Sequence, residues 1–590
     1  MSEGRGRTVA VGVLAGIGAL TILALIAAGA WYWRGKGSVP EKTVLEVDFE
    51  RGVVEYVPDE PVGRILLKRF YVLRDVTEAL DRAAEDRRVV GLLARVGVSR
   101  MGMAQIQELR DAVTAFRGKG KPAIAHAETL GEFGPGNGAY YLATAFDRIY
   151  LQPSGSVGLT GLISRTSFVR GTLDKLGILP RVARREEYKT FVNRVTERKY
   201  TEAHKEANRS ILASLFGQIL KGISEARALP AEEVRSLADR GPFLGREAVE
   251  ANLVDGLAYK DEVYETVKQM TGEEVRFLDL GDYSGRVGRR RGKGEAVALI
   301  YGVGGIRRGR SRYDPVTGRF LLGPDTVADA FRSAVEDGEV RAILFRVDSP
   351  GGSHVASDTI WREIVRARQA GKPVVVSMGN VAGSGGYYIS MAADGIVAQP
   401  GTLTGSIGVF AGKMVTASFW EKGGVSWDEV HTSENADMWS WTTDYSERQW
   451  GRVQGILDRI YGDFTKKAAA GRRMPAEKVL EAAKGRVWTG EDAKALGLVD
   501  ELGGFPTAIR MAREAAGIPA GTRIRLKVFP ERRPPWRVLL EDWLDPRREG
   551  AMESLVRLLE TVQPIAQVAE DIGIGSPPGA LTMPEGDRRW

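Results

Sequence analysis

Gly383-Ser384-Gly385-Gly386-Tyr387-Tyr388, in the second half of this chain, reappears in the first half as Gly136-Asn137-Gly138-Ala139-Tyr140-Tyr141. The landmarks around each copy follow the same order. Lys372-Pro373 precedes the later copy, and Asp394, Gln399-Pro400 and Gly405-Ser406-Ile407-Gly408 follow it. Lys121-Pro122 precedes the earlier one, and Asp147, Gln152-Pro153 and Gly155-Ser156-Val157-Gly158 follow it. Farther out, Leu92-Leu93-Ala94-Arg95-Val96 matches Ile343-Leu344-Phe345-Arg346-Val347, and Leu253-Val254-Asp255 matches Leu498-Val499-Asp500; the offset stays between 245 and 251. A nearly constant offset over such a span marks a tandem repeat. Two homologous units of roughly 210 residues are each large enough to bury a full core. Asn137 stands where Ser384 stands, which suggests two halves dividing one task.

Within each unit, short apolar runs alternate with amphipathic segments. In the second unit these are Val297–Ile300, then 326–335, then Ala342–Val347, then 359–368, then Pro373–Met378. Runs that are apolar throughout, rather than alternating, fit strands buried on both faces of a mainly parallel sheet. Each unit therefore reads as α/β.

Composition narrows the chemistry. The 590 residues are 43% hydrophobic and 27% charged, as in an ordinary folded protein. The net charge of +7 is spread along the chain and not striped, so it reads as a solvated surface and no nucleic-acid partner is expected. One dense basic run, Arg286 to Lys293 (RVGRRRGK), falls between the units and reads as an exposed linker. With no cysteine, thiol catalysis, zinc thiolate sites and disulfides are excluded. The four histidines, His126, His204, His354 and His431, form no metal-ligand spacing with one another, so neither a metal nor a cofactor is expected.

Thr8 to Trp33 carries no charge and ends in Trp31-Tyr32-Trp33. As a helix it would extend about 39 Å, enough to cross a hydrocarbon core of about 30 Å, with the aromatic cluster at the interface. An uncleaved anchor in membrane lipid is the favoured reading. A cleaved signal peptide, with Ala28-Gly29-Ala30 at the cut, is the competing one. Arg5 and Arg7 against Arg34 and Lys36 are too balanced to set orientation.

Ligands of parallel α/β units sit at the C-terminal ends of strands, where two loops of the second unit fall. Asp348-Ser349-Pro350-Gly351-Gly352-Ser353 offers adjacent glycines before a helix, a backbone geometry suited to an oxyanion hole or, equally, to a tight turn. Asn380 to Gly386 presents Ser384 among small residues, with the Gly385 N–H next to it; a serine there is a nucleophile or an N-cap. Tyr388, Met391 and Ala392 are expected on the buried face of the following helix. A nucleophilic serine needs a base. His354 is the one histidine placed to serve, and a lysine is the alternative. A lysine base must drop by about 3 pH units from about 10.4, which costs its charged form roughly 4 kcal/mol and is within the reach of burial.

Taken together, DSPGG (348–352), GSGGYY (383–388), TGSIG (404–408), the doubled architecture and the apolar N-terminus resemble the long form of the signal peptide peptidase A, or protease IV, family over about residues 43 to 515. The resemblance implies a Clp-protease/crotonase-like fold in each repeat and a Ser-Lys dyad split between them. Its nucleophile falls on Ser384. Its lysine falls on Lys189, in Glu187-Tyr188-Lys189-Thr190. The corresponding Ser433-Glu434-Asn435-Ala436 of the second repeat has no lysine. Gly352 (or Gly351) and Gly385 would bind the oxyanion, and Ser406 would orient the amine. Val98-Ser99-Arg100-Met101 replaces the glycine loop in the first repeat, so one site per pair of repeats is implied.

The resemblance further implies hydrolysis of released signal peptides and other apolar peptides. It also implies a homotetramer, and a single-pass anchor in the bacterial inner membrane with the catalytic part on the periplasmic side. The expected organisation is a polar start (1–7), a transmembrane helix (8–33), the base-donating repeat (43–285), the linker (286–295), the nucleophile-donating repeat (296–525) and an amphipathic, partly disordered extension (526–590). A crotonase-like acyl-thioester enzyme and a non-catalytic membrane scaffold are the rival readings.

Overall fold

The unbroken Val/Ile/Leu runs of both halves become central strands of two largely parallel sheets. The computed structural model describes residues 37–58, 61–288, 294–531 and 580–582. The first repeat contributes β1 (Thr43–Asp48), β2 (Val89–Arg95), β3 (Ala123–Ala127), β4 (Arg148–Leu151), β5 (Leu179–Arg184), β6 (Gly256–Leu257) and β7 (Arg276–Asp279). All but β5 form a six-stranded parallel sheet in the order β6-β4-β3-β2-β1-β7.

The second repeat contributes β8 (Glu295–Val303), β9 (Gly305–Ile306), β10 (Val340–Ser349), β11 (Gly351–Ser353), β12 (Val374–Gly383), β13 (Gly395–Ala398), β14 (Leu403–Gly405), β15 (Phe410–Val415), β16 (Val487–Thr489) and β17 (Ile524–Phe529). Its main sheet runs β16-β14-β12-β10-β8-β17, with β13 also paired to β12. Only β16 runs antiparallel to its neighbour in that order. Val374, Val375 and Val376 show why the apolar run is unbroken. Val374 and Val376 pack with Ile360 and Ile364 on one face, while Val375 packs with Phe505, Ala508 and Ala512 on the other. A strand covered by helices on both faces favours apolar residues at successive positions.

Secondary-structure elements cross three of the expected boundaries. The helix Leu280–Val287 runs into the expected linker, and β8 begins at Glu295 within it. Strand β17 pairs with β8 through Phe529, so the second repeat extends past residue 525. The expected membrane segment 8–33 and most of the extension 526–590 lie outside the described residues. Among those described, no helix is long and apolar enough to cross a membrane.

The repeats interpenetrate. Strand β5 leaves its own sheet and pairs antiparallel with β15, from Arg184 opposite Phe410 to Leu179 opposite Val415. Ala183 packs in the second repeat's core, while Leu403 and Val487 pack in the first's. Helix α1 (Met103–Arg117) docks on the second repeat through Gln107, which accepts the Gly401 N–H at 2.7 Å, and Glu108, which accepts the Phe505 N–H at 3.1 Å. Arg346 of β10 is fully buried. Its Nε lies 2.8 Å from Glu55 and its terminal nitrogens lie 2.6 Å from Glu108 and 2.8 Å from Ser377. Both carboxylates come from the first repeat. A buried guanidinium is tolerated only with such partners, so the two repeats are held in one register.

Candidate active site

At the end of β12, Gly383 pairs with Gly405 of β14, and the chain turns sharply into Ser384. Ser384 has φ 55° and ψ −114°, an unusual conformation for a residue with a Cβ, held by its N–H donating to the Gly405 carbonyl at 2.8 Å. The helix that follows, α2 (Gly385–Tyr388), is a single turn. Tyr388, Met391 and Ala392 are buried as expected, but only Tyr388 lies in the helix; Met391 and Ala392 follow its end in a turn.

The neighbouring loop comes from β11. A Cβ on Gly385 would lie 2.8 Å from Ser357 Oγ and 3.0 Å from the Gly352 amide nitrogen, so the two loops meet backbone to backbone. At Gly352 a Cβ would sit 2.1 Å from the Ile306 carbonyl oxygen, which excludes any other residue. The Gly351 N–H is engaged elsewhere, donating to Ser349 Oγ at 3.2 Å, while that hydroxyl donates to the Gly304 carbonyl at 2.7 Å. Of the two glycines, Gly352 is therefore the one whose amide borders Gly385, and Gly351 does not share that geometry. Ser349 carries no signal in the sequence beyond its place in the DSPGG run.

Lys189 arrives from the first repeat on the loop that follows β5. The pairing of β5 with β15 sets that loop against the second repeat, where the Arg185 N–H donates to the Val409 carbonyl at 2.9 Å and the Tyr188 N–H to the Lys484 carbonyl at 3.1 Å. The Lys189 side chain is 1% exposed. It packs against Gly408 and Gly485, where added Cβ atoms would fall 3.2 Å from its Cδ and 2.6 Å from its backbone nitrogen. Its Nζ lies 2.7 Å from Ser384 Oγ, 3.0 Å from Ser406 Oγ and 3.0 Å from the Ser406 carbonyl oxygen. Ser406 is itself buried, with φ 51° and its N–H donating to the Arg486 carbonyl at 2.7 Å. Burial pushes the Lys189 ammonium down to about 7, and among the described residues no carboxylate pairs with it. The amine is thus substantially neutral near pH 7 and in hydrogen-bond reach of the serine.

His354 has no such place. Its ring packs edge-on against Tyr388 at 5.5 Å, and among the described residues no hydrogen bond joins it to Ser384. At the equivalent point of the first repeat, Asn137 is fully buried. Its side-chain oxygen accepts from Thr160 and Gly161 at 3.0 and 3.1 Å, and its amide donates to the Gly161 carbonyl at 2.8 Å. The asparagine is thus a crosslink within the loop. Val98–Met101, which replaces the glycine loop, leads instead into α1 and the interface between repeats, with the Gln105 N–H donating to Asn380 at 3.2 Å.

Peptidase family S49 matches residues 115–274 and 366–519, one stretch in each repeat. Protease 4 of Salmonella typhi is 33% identical, over 84% of this chain and 82% of its own length. Serine protease SPPA, chloroplastic, of Arabidopsis thaliana is 32% identical, over 77% of this chain and 67% of its own length. Among solved structures, a mutant of the 1510-N membrane-bound stomatin-specific protease in complex with a substrate peptide aligns at 16% identity and a TM-score of 0.25, covering 42% of this chain and 98% of that one. With the family's domain present once in each repeat, the chain belongs to peptidase family S49 and is a serine peptidase.

Proposed function

We propose that this chain is a membrane-anchored endopeptidase in which Ser384 is the nucleophile and Lys189 its general base. The observation that carries this reading is the 2.7 Å approach of a buried amine, free of any carboxylate partner among the described residues, to the hydroxyl of a backbone-strained serine. Neutral Lys189 takes the Ser384 proton as Oγ attacks the peptide carbonyl, and the resulting ammonium protonates the leaving amine. Water then attacks the acyl-enzyme with Lys189 again as base. The N–H groups of Gly352 and Gly385 stabilise the oxyanion, and Ser406 holds the amine on line through its hydroxyl and carbonyl.

The substrates are released signal peptides and other apolar peptides. The Protease 4 relatives, the doubled family domain and the apolar segment 8–33 support placement in the bacterial inner membrane, with the catalytic part on the periplasmic side and assembly as a homotetramer. The organisation is that of a base-donating repeat followed by a nucleophile-donating repeat, each incomplete without the other.

Cleavage of a fluorogenic apolar peptide by the wild type, Ser384→Ala and Lys189→Ala tests the dyad. Each variant is expected to lose on the order of 10⁴-fold or more in kcat, in the range seen when one member of a catalytic unit is removed. Near wild-type turnover by either variant removes the dyad.

A further inference from the structure

The edge of β11 is not bare. Strand β9 pairs with one side of it, Ile306 opposite Gly352, and the chain's own C-terminal segment β18 (Ala580–Thr582) pairs with the other. The pairing is antiparallel, with Gly351 opposite Thr582, Gly352 opposite Leu581 and Ser353 opposite Ala580. The segment also approaches β15. Strand β11 carries the glycine whose amide borders the Ser384 loop, and β15 follows the glycine against which Lys189 packs. The segment thus lies against one strand from the Ser384 side of the site and one from the Lys189 side.

Recognition of an extended peptide by addition to an exposed strand edge needs only main-chain hydrogen bonds for affinity, with alternate side chains read by pockets. A three-residue strand added to the edge that carries Gly352 therefore takes the position that an extended peptide substrate needs in order to bring a carbonyl to Ser384. The residues of the segment suit that position. Gly579-Ala580-Leu581-Thr582-Met583 is uncharged, small or apolar, and it is flanked by Pro578 and Pro584. Charge resumes only at Glu585.

We propose that residues 580–582 act as a tethered pseudosubstrate, a strand that fills the peptide-binding edge of the active site and must leave before an external peptide is cut. This inference rests on the reading of Ser384 and Lys189 as the catalytic pair. Tethering makes even a weak contact effective: at an effective concentration of about 1 mM, a segment with an intrinsic Kd of about 0.1 mM raises the apparent KM roughly tenfold without altering kcat.

The test compares the full chain with a chain ending at Gly579, using the fluorogenic apolar peptide, and then adds a synthetic peptide spanning Pro577 to Asp587 to the truncated chain. Truncation is expected to lower KM severalfold at unchanged kcat. The synthetic peptide is expected to inhibit the truncated chain competitively, and the full chain more weakly. Unchanged KM on truncation together with no competitive inhibition overturns the pseudosubstrate. Inhibition that is non-competitive also overturns it, because the segment then acts from outside the peptide-binding edge. Ser384→Ala, run in parallel, separates the two readings: if it remains inactive while the truncation has no effect, the dyad stands and the tethered strand falls.

Discussion

Replacing Lys189 with Met separates the two consequences of burying an amine. Met matches the length of the stem and is apolar, so the site stays filled while its ionisable group is lost. Displacement of the Lys189 pKa from 10.5 to about 7 corresponds to about 5 kcal/mol against the ammonium in the fold. Because the folded pKa lies below the unfolded one, the unfolded chain binds more protons between about pH 7 and 10.5, and wild-type stability rises with pH across that window by up to about 1.4 kcal/mol per unit. Below about pH 7 both states are protonated and the penalty is complete; above about 10.5 both are neutral and it vanishes.

Met abolishes this dependence. It also removes three hydrogen bonds of 2.7 to 3.0 Å, a cost of about 1 kcal/mol each that is nearly independent of pH. The slope therefore carries the test, not the offset. Chemical unfolding midpoints of both proteins from pH 6 to pH 10 are expected to show a stability difference that shifts in favour of the wild type by about 4 kcal/mol between pH 7 and pH 10. The wild-type kcat/KM is expected to rise with pH to a plateau, with a kinetic pKa near 7. A stability difference flat over the whole range, or a kinetic pKa at the ordinary lysine value, refutes a buried neutral amine at this site.

Gly352→Ala places a methyl 2.1 Å from the Ile306 carbonyl, and Gly385→Ala places one 3.0 Å from the Gly352 nitrogen, so each is expected to lower kcat on the order of 10²-fold or more in the peptide assay, as loss of an oxyanion donor does. Arg346→Ala leaves Glu55 and Glu108 buried without their cation and is expected to cost about 3–5 kcal/mol, with loss of activity because the proposed base, Lys189, and the proposed nucleophile, Ser384, sit on different repeats; unfolding by urea measures the first and peptide cleavage the second. The double variant Ser384→Ala/Asn137→Ser is expected to remain inactive, because the first repeat has neither the glycine loop nor a lysine across from residue 137; recovered cleavage identifies a second latent site. Asn137→Ser alone keeps activity but loses the amide crosslink to Thr160 and Gly161, lowering stability by about 1–3 kcal/mol in thermal unfolding.

Much of this was legible in the primary sequence. Val374-Val375-Val376 announces a strand covered on both faces, because an apolar run without alternation is stable only between two helical layers. The near-constant offset between halves implies two such sheets, and the asymmetry of Asn137 against Ser384 already suggests two halves dividing one task, whereas Lys189 stands out among many basic residues only through the resemblance to the family. These features depend on local periodicity and on residue identity, which a chain displays whatever its distant parts do.

The rest depends on contacts between residues far apart in sequence. Lys189 and Ser384 are 195 positions apart, and the pairing of β5 with β15 brings them together. Gly408 and Gly485 decide that the Lys189 stem is dry, and dryness, not residue type, sets its pKa. The hydroxyl of Ser349 takes the Gly351 N–H and leaves Gly352 beside Gly385, a distinction that two adjacent glycines do not carry in their order. Arg346, which reads as one more strand residue, proves to be the buried cation that two carboxylates of the other repeat hold in place. Periodicity thus determines which face of each element is covered, whereas the solvation of a charge and the meeting of loops are properties of the packed whole and arise only when the two repeats close on each other.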